Sequence, residues 1–209
     1  MSAPASATGR PSDAGEAAPR QRGERRVPGE AGVWVFLFGD LLIFAAAFAA
    51  FLYERTDDPA LFDRSQRALD QTYGIVNTFV LLASSLLVVV AMRAVRAGRP
   101  ALAGRLVLGA LGCGALFVAL KGLDYVDRIQ SGAAPAANPF DMYYFVMTGM
   151  HLFHVVLGLA VLVAVHRLVR RPGIPTTSQA AFVEGGACFW HMVDLLWLLI
   201  FPLLYLVHG

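Results

Sequence analysis

Five long apolar runs, at about residues 32–53, 75–96, 101–123, 141–166 and 187–207, alternate with short polar segments along the chain. Each run has about 20 residues or more, enough to cross a hydrocarbon core of about 30 Å as an α-helix. In lipid every backbone N–H and C=O must find a partner within the protein, and a helix supplies all of them locally. No run shows the short apolar–polar alternation of a membrane barrel strand. The pattern predicts an all-α, polytopic membrane protein, a bundle of five transmembrane helices within residues 29–209. Residues 1–28, rich in Ala, Ser, Pro, Gly and Arg, lack the large apolar side chains needed to order themselves and are expected to form a disordered tail. Arg25-Arg26 precede the first run as they would in a secretion signal. That run is too long for a signal core and has no small-residue cleavage site at its end, so it is expected to stay as the first membrane helix.

The connections sharpen this outline. Ala97-Gly98-Arg99-Pro100 has a helix stop followed by a helix start, which predicts a tight turn and an antiparallel hairpin of spans two and three. The segment 129–140 carries Gly132, Pro135 and Pro139 and is expected to be irregular. The acidic segment 54–74 is expected to contain a short surface helix, and Pro202 to bend the end of span five.

Charge then orients the bundle. Arg10, Arg20, Arg22, Arg25 and Arg26 precede span one; Arg93, Arg96, Arg99 and Arg105 surround the turn after span two; Arg167, Arg170 and Arg171 follow span four. The opposite side carries Arg55, Arg64, Arg67 and Arg128 among a larger set of aspartates and Glu54. The arginine bias predicts a cytoplasmic N-terminus and a periplasmic C-terminus. Composition agrees with a membrane location: of 209 residues, 57% are hydrophobic and 15% charged, with a mean hydropathy of +0.58, where a soluble domain has about a quarter charged residues. A net charge of +2 gives no sign of a nucleic-acid partner. The two cysteines, Cys113 and Cys188, fit neither a redox pair nor a haem attachment motif and are expected to be small buried hydrophobes.

Polar residues inside the runs are the candidate chemistry, because each is costly in lipid unless partnered. Asp40 lies a third of the way into span one, where packing against a partner competes with proton handling and a membrane-edge position. Asn77 and Ser84 share a face of span two, with Ser85 beside them; no base within that helix is spaced to activate either serine. Lys121 and Asp124, three apart, can pair near an interface, and Lys121 can extend towards headgroups. His151 and His154, also three apart, sit on one face of span four. A helix contact and a haem held with help from His191 are the alternatives. Span five carries His191 and Asp194 at the same spacing, Glu184 seven residues before His191, and Trp190 and Trp197 beside that stripe. A carboxylate beside a histidine serves catalysis and packing equally, and no third group completes an acyl-transfer or metal site.

The strings Asn77-Thr-Phe-Val-Leu-Leu-Ala-Ser-Ser85, Lys121-Gly-Leu-Asp-Tyr125 and Thr148-Gly-Met-His-Leu-Phe-His-Val-Val-Leu-Gly158 stand in this order, followed by Glu184 and then His191-Met-Val-Asp-Leu-Leu-Trp197. Together they resemble the subunit III family of haem-copper oxidases over about residues 28–207. Met192 stands where the family has phenylalanine, and Asp40 and Asp124 where it commonly has glutamate. Five spans match the shorter bacterial form, which lacks the first two of seven helices. The resemblance implies an accessory subunit of the bacterial inner membrane with no cofactor of its own. Haem and, in an oxidase, copper would lie in a partner catalytic subunit, subunit I; structural phospholipids would be further partners. It implies that His151, His154, Glu184, His191 and Asp194 form a structural polar core, and that Asp40, Lys121 and Asp124 have lipid- or proton-related roles. The alternatives are an accessory subunit of nitric oxide reductase and an independent bis-histidine membrane cytochrome.

Overall fold

The computed structural model describes residues 31–134, 137–171 and 176–206. The expected tail at 1–28 lies outside them. Six α-helices account for most of the described chain: α1 (Ala31–Asp57), α2 (Pro59–Arg67), α3 (Gln71–Arg96), α4 (Pro100–Gln130), α5 (Pro139–Val169) and α6 (Thr177–Phe201), with a π-helical turn over Pro202–Leu206. Five of them are long and apolar enough to span a membrane, at 24 to 31 residues each. The short α2 is the expected surface helix.

The helix ends follow from local chemistry. Asp58, Asp70 and Asn138 each accept a hydrogen bond from a backbone N–H of the first turn of α2, α3 and α5. Prolines 59, 100 and 139 occupy the first turns of α2, α4 and α5, where the missing N–H costs nothing. Thr176 and Gln179 cap α6 reciprocally. At the expected tight turn Gly98 has φ +67°, a backbone conformation that favours glycine, and α3 and α4 form the expected hairpin.

The helices run further than the apolar pattern predicts. Expected ends at 53 and 123 become Asp57 and Gln130, and expected starts at 75 and 187 become Gln71 and Thr177. In α4 the charged residues that interrupt the apolar run are engaged by neighbouring segments, Lys121 by Tyr144 and Tyr205 and Arg128 by Asp141, and do not end the helix. In α6 the start is set by the reciprocal cap of Thr176 and Gln179. The expected irregular stretch 129–140 is correspondingly shorter, with a turn at Gly132 (φ +89°).

In section, α3, α4, α5 and α6 make a closed four-helix arrangement, and α1 lies against α5 and α6. The centre is α6: 61% of its apolar window is buried within the protein, against 22–28% for the other four spans. Trp190 of α6 is fully buried. A Cβ on Gly158 of α5 would stand 2.7 Å from its ring, and one on Gly114 of α4 would stand 2.8 Å from it. Two glycines on facing helices thus make the slot for one indole. A second aromatic group, Phe51, Phe62 and Phe140, joins α1, α2 and α5 through edge-on contacts.

Pro202 ends the regular α-helix, as its ring and missing N–H require. Carbonyl groups of the π turn are taken up from outside. Gln66 Nε2 donates to the carbonyls of Leu203 at 3.1 Å and Leu204 at 3.3 Å, and Gln71 Nε2 donates to that of Tyr205 at 3.3 Å. The α2 segment therefore caps the end of the central helix.

Candidate functional site

Polar side chains occupy several separate places in the bundle. Near the acidic end, Lys121 and Asp124 of α4 are 1% and 2% exposed. Lys121 Nζ donates to Asp124 Oδ2 at 2.7 Å, to Tyr144 Oη at 2.9 Å and to Tyr205 Oη at 3.3 Å. Tyr144 donates to the same carboxylate oxygen at 2.6 Å. The ammonium also lies 4.6 Å from the Tyr144 ring centroid and 5.4 Å from that of Trp197. The expectation that Lys121 extends towards headgroups is thus corrected: three hydrogen-bond acceptors and an aromatic cage draw it inward. One turn further out, Arg128 is hydrogen-bonded to Asp141, which Asn138 also holds at 2.8 Å. The π turn after Pro202 brings Tyr205 to this cluster.

Asp40 and His154 form a second site between α1 and α5, with Oδ1 and Nε2 2.9 Å apart. His154 Nδ1 contacts the Met150 carbonyl at 2.7 Å. A carbonyl only accepts, so Nδ1 carries a proton there. Asp40 Oδ2 is buried without a partner.

His151 is turned elsewhere. It is fully buried on α5 between Phe117 of α4 and Trp197 of α6, with ring centroids 5.6 and 5.2 Å away. Neither ring nitrogen has a hydrogen-bond partner. His151 and His154, although three residues apart, therefore face different helices and do not act as a pair.

The contact of α3 with α6 is a polar seam. Trp197 Nε1 donates to Thr78 at 3.0 Å, Trp190 Nε1 donates to Ser84 at 3.1 Å, and Ser84 donates to the Ala110 carbonyl at 3.0 Å. Ser85 Oγ lies 2.8 Å from His191 Nδ1. Asp194, one turn further along α6, is buried, and its Oδ1 has no hydrogen-bond partner. Glu184 is half-exposed at the arginine-rich end, 3.5 Å from Arg96. The five residues expected to form one polar core are distributed over separate places, and Glu184 is outside the core altogether.

The arrangement bears on chemistry. Ser85, His191 and Asp194 are the residue types of a nucleophilic triad, brought together from two helices; considering α3 alone could not find them. The Asp194 carboxyl makes no hydrogen bond to the imidazole, so it does not orient it as a base. Ser85 also sits mid-helix, where backbone N–H groups are committed to the helix and none is left to stabilise an oxyanion. For a bis-histidine haem, His191 and one of His151 and His154 would have to face one centre; His151 instead lies against Phe117 and Trp197, His154 against Asp40, and His191 against Ser85. Among the described residues no three His, Cys, Asp or Glu side chains are grouped to hold a metal. Both cysteines are free and only half-buried, more exposed than expected.

Tyr144, Tyr205, Arg128, Asp141 and Thr78 join these sites without any mark of it in the chain's pattern. Each looks ordinary in its own helix, and its role comes from a partner on another.

Comparison with known proteins accounts for this construction. Residues 28–208 match the family model described as cytochrome c oxidase subunit III. A quinol oxidase subunit 3 from Bacillus subtilis is 30% identical over 181 residues, covering 84% of this chain and 85% of the relative. A cytochrome c oxidase subunit 3 from Alkalihalophilus pseudofirmus is 31% identical over 182 residues, with 84% and 85% covered. A haem-copper oxidase subunit I+III from Aeropyrum pernix is 27% identical, with 84% of this chain aligned to 22% of that longer protein. With five apolar spans and a family match from end to end of the bundle, this multi-pass inner-membrane chain belongs to the cytochrome c oxidase subunit III family and is an accessory component of a respiratory haem-copper oxidase.

Proposed function

We propose that this chain binds the catalytic subunit I of a haem-copper oxidase and stabilises it during turnover, together with structural phospholipids on its lipid-facing surface. Haem and copper, and with them the reduction of dioxygen, belong to that partner. The observation that carries the proposal is the pairing of polar groups with one another inside the bundle. The Lys121–Asp124–Tyr144–Tyr205, Asp40–His154 and Ser85–His191 groups fasten helices together. The Aeropyrum relative, named as subunits I and III in one chain, supports direct association with subunit I. Relatives named for quinol and for cytochrome c match with equal coverage of this chain, so the electron donor is read elsewhere in the complex. Full burial of Lys121 and Asp124 favours fastening over a lipid contact.

Removing the chain from the purified oxidase tests this. The expected result is an initial rate close to that of the complete complex, followed by progressive loss of activity during turnover that added chain prevents. Equal lifetimes with and without the chain would overturn the stabilising role.

A further inference from the structure

The α3–α6 seam is more than an internal contact, because one of its polar groups faces outward at membrane depth. His191 lies near the middle of the 30-residue span Thr177–Leu206, about 21 Å from either end at about 1.5 Å per residue. It is half-buried. Its Nδ1 is held by Ser85 at 2.8 Å, the one hydrogen bond its ring makes among the described residues, which leaves Nε2 open. The surrounding surface is apolar: Leu82 and Leu86 of α3 and Leu195 and Leu198 of α6 are 39–63% exposed. Beyond it, at the arginine-rich end, a cleft of about 630 Å³ lies among the ends of α3, α4, α5 and α6, lined by Val95, Arg96, Pro100, Leu168, Val183 and Glu184.

An outward nitrogen at this depth needs a hydrogen-bonding partner. Headgroups and water lie at the membrane surfaces, and acyl chains offer none. A neighbouring transmembrane helix does, through a hydroxyl, amide or indole side chain. The flanking leucines supply the apolar contact area for such a helix. We infer that the α3–α6 seam is the docking face for the catalytic subunit, with His191 Nε2 hydrogen-bonded to a polar side chain on one of that subunit's transmembrane helices. The inference rests on the proposed association with subunit I and adds the face and the residue that make it.

The test uses the intact complex in native membranes. Photo-crosslinking amino acids are placed singly at Cys188, Leu195 and Leu198 on the seam, and at Leu42 and Ile43 on the exposed face of α1. Seam probes are expected to crosslink to the catalytic subunit, identified by mass spectrometry, while α1 probes do not. His191→Leu is expected to weaken retention of the catalytic subunit about three- to tenfold, with His191→Gln restoring part of it. Circular dichroism melting of each purified variant separates lost docking from lost folding. If the catalytic subunit copurifies but crosslinks only from α1, or the seam probes capture only lipid or a second copy of this chain, the docking inference is wrong while the accessory assignment stands. If no catalytic subunit copurifies with the unmodified chain, the assignment itself fails.

Discussion

Lys121 shows how a full charge is accommodated inside a membrane helix. Its ammonium has a carboxylate, two phenol oxygens and aromatic faces around it, so its hydration shell is replaced group by group. Removing one partner of such a buried pair leaves the other uncompensated, a loss of about 3–5 kcal/mol. Lys121→Met and Asp124→Leu are each expected to lower the melting temperature markedly, and the double variant to melt higher than either single one. Additive losses, measured by thermal unfolding in detergent, would contradict the pairing. His151 is the opposite case. Its nitrogens make no hydrogen bond, so His151→Leu removes polar atoms that cost stability where they are. That variant is expected to melt at or above the unmodified protein. A large drop in melting temperature would mean that the ring holds something essential, such as an ordered water.

At the scale of elements, the glycine slot around Trp190 decides how closely α4, α5 and α6 approach. Gly158→Ala and Gly114→Ala each place a methyl group within 2.8 Å of ring atoms of a fully buried indole. Overpacking of this kind costs about 1–3 kcal/mol. Gly112→Ala, where a Cβ meets nothing within 4 Å, is expected to leave stability unchanged or slightly raised, since alanine favours the helix. Melting curves of the three variants check the contrast, and equal melting of all three would remove the slot from the account. Much at this scale was legible in the sequence. Five apolar runs are visible because lipid demands uninterrupted length, and the Gly98–Pro100 turn is visible because two residue types carry it. Helix ends at Gln130 and Thr177 were not legible, since hydropathy falls wherever Lys121, Asp124 or Glu184 stands. Whether a charge ends a helix or is held by a neighbour depends on the neighbour. The site divides along the same line. Contacts within one helix, such as Lys121 with Asp124, can be read from i,i+3 spacing. Ser85 with His191, or Asp40 with His154, join different helices, and no spacing along the chain encodes them.

At the scale of the whole molecule, the described chain is a bundle whose helices are joined by polar contacts and whose flanks expose large apolar side chains. That is the design of a part that supports another part. The central claim is that the chain belongs to a haem-copper oxidase and carries no redox centre itself. It is tested most directly by purifying the chain from native membranes in mild detergent, identifying the copurifying chains and recording an optical redox spectrum. The account predicts a haem-copper catalytic subunit in the preparation and a haem spectrum that follows that subunit when the two are separated. A lone chain that keeps a haem spectrum of its own would contradict it.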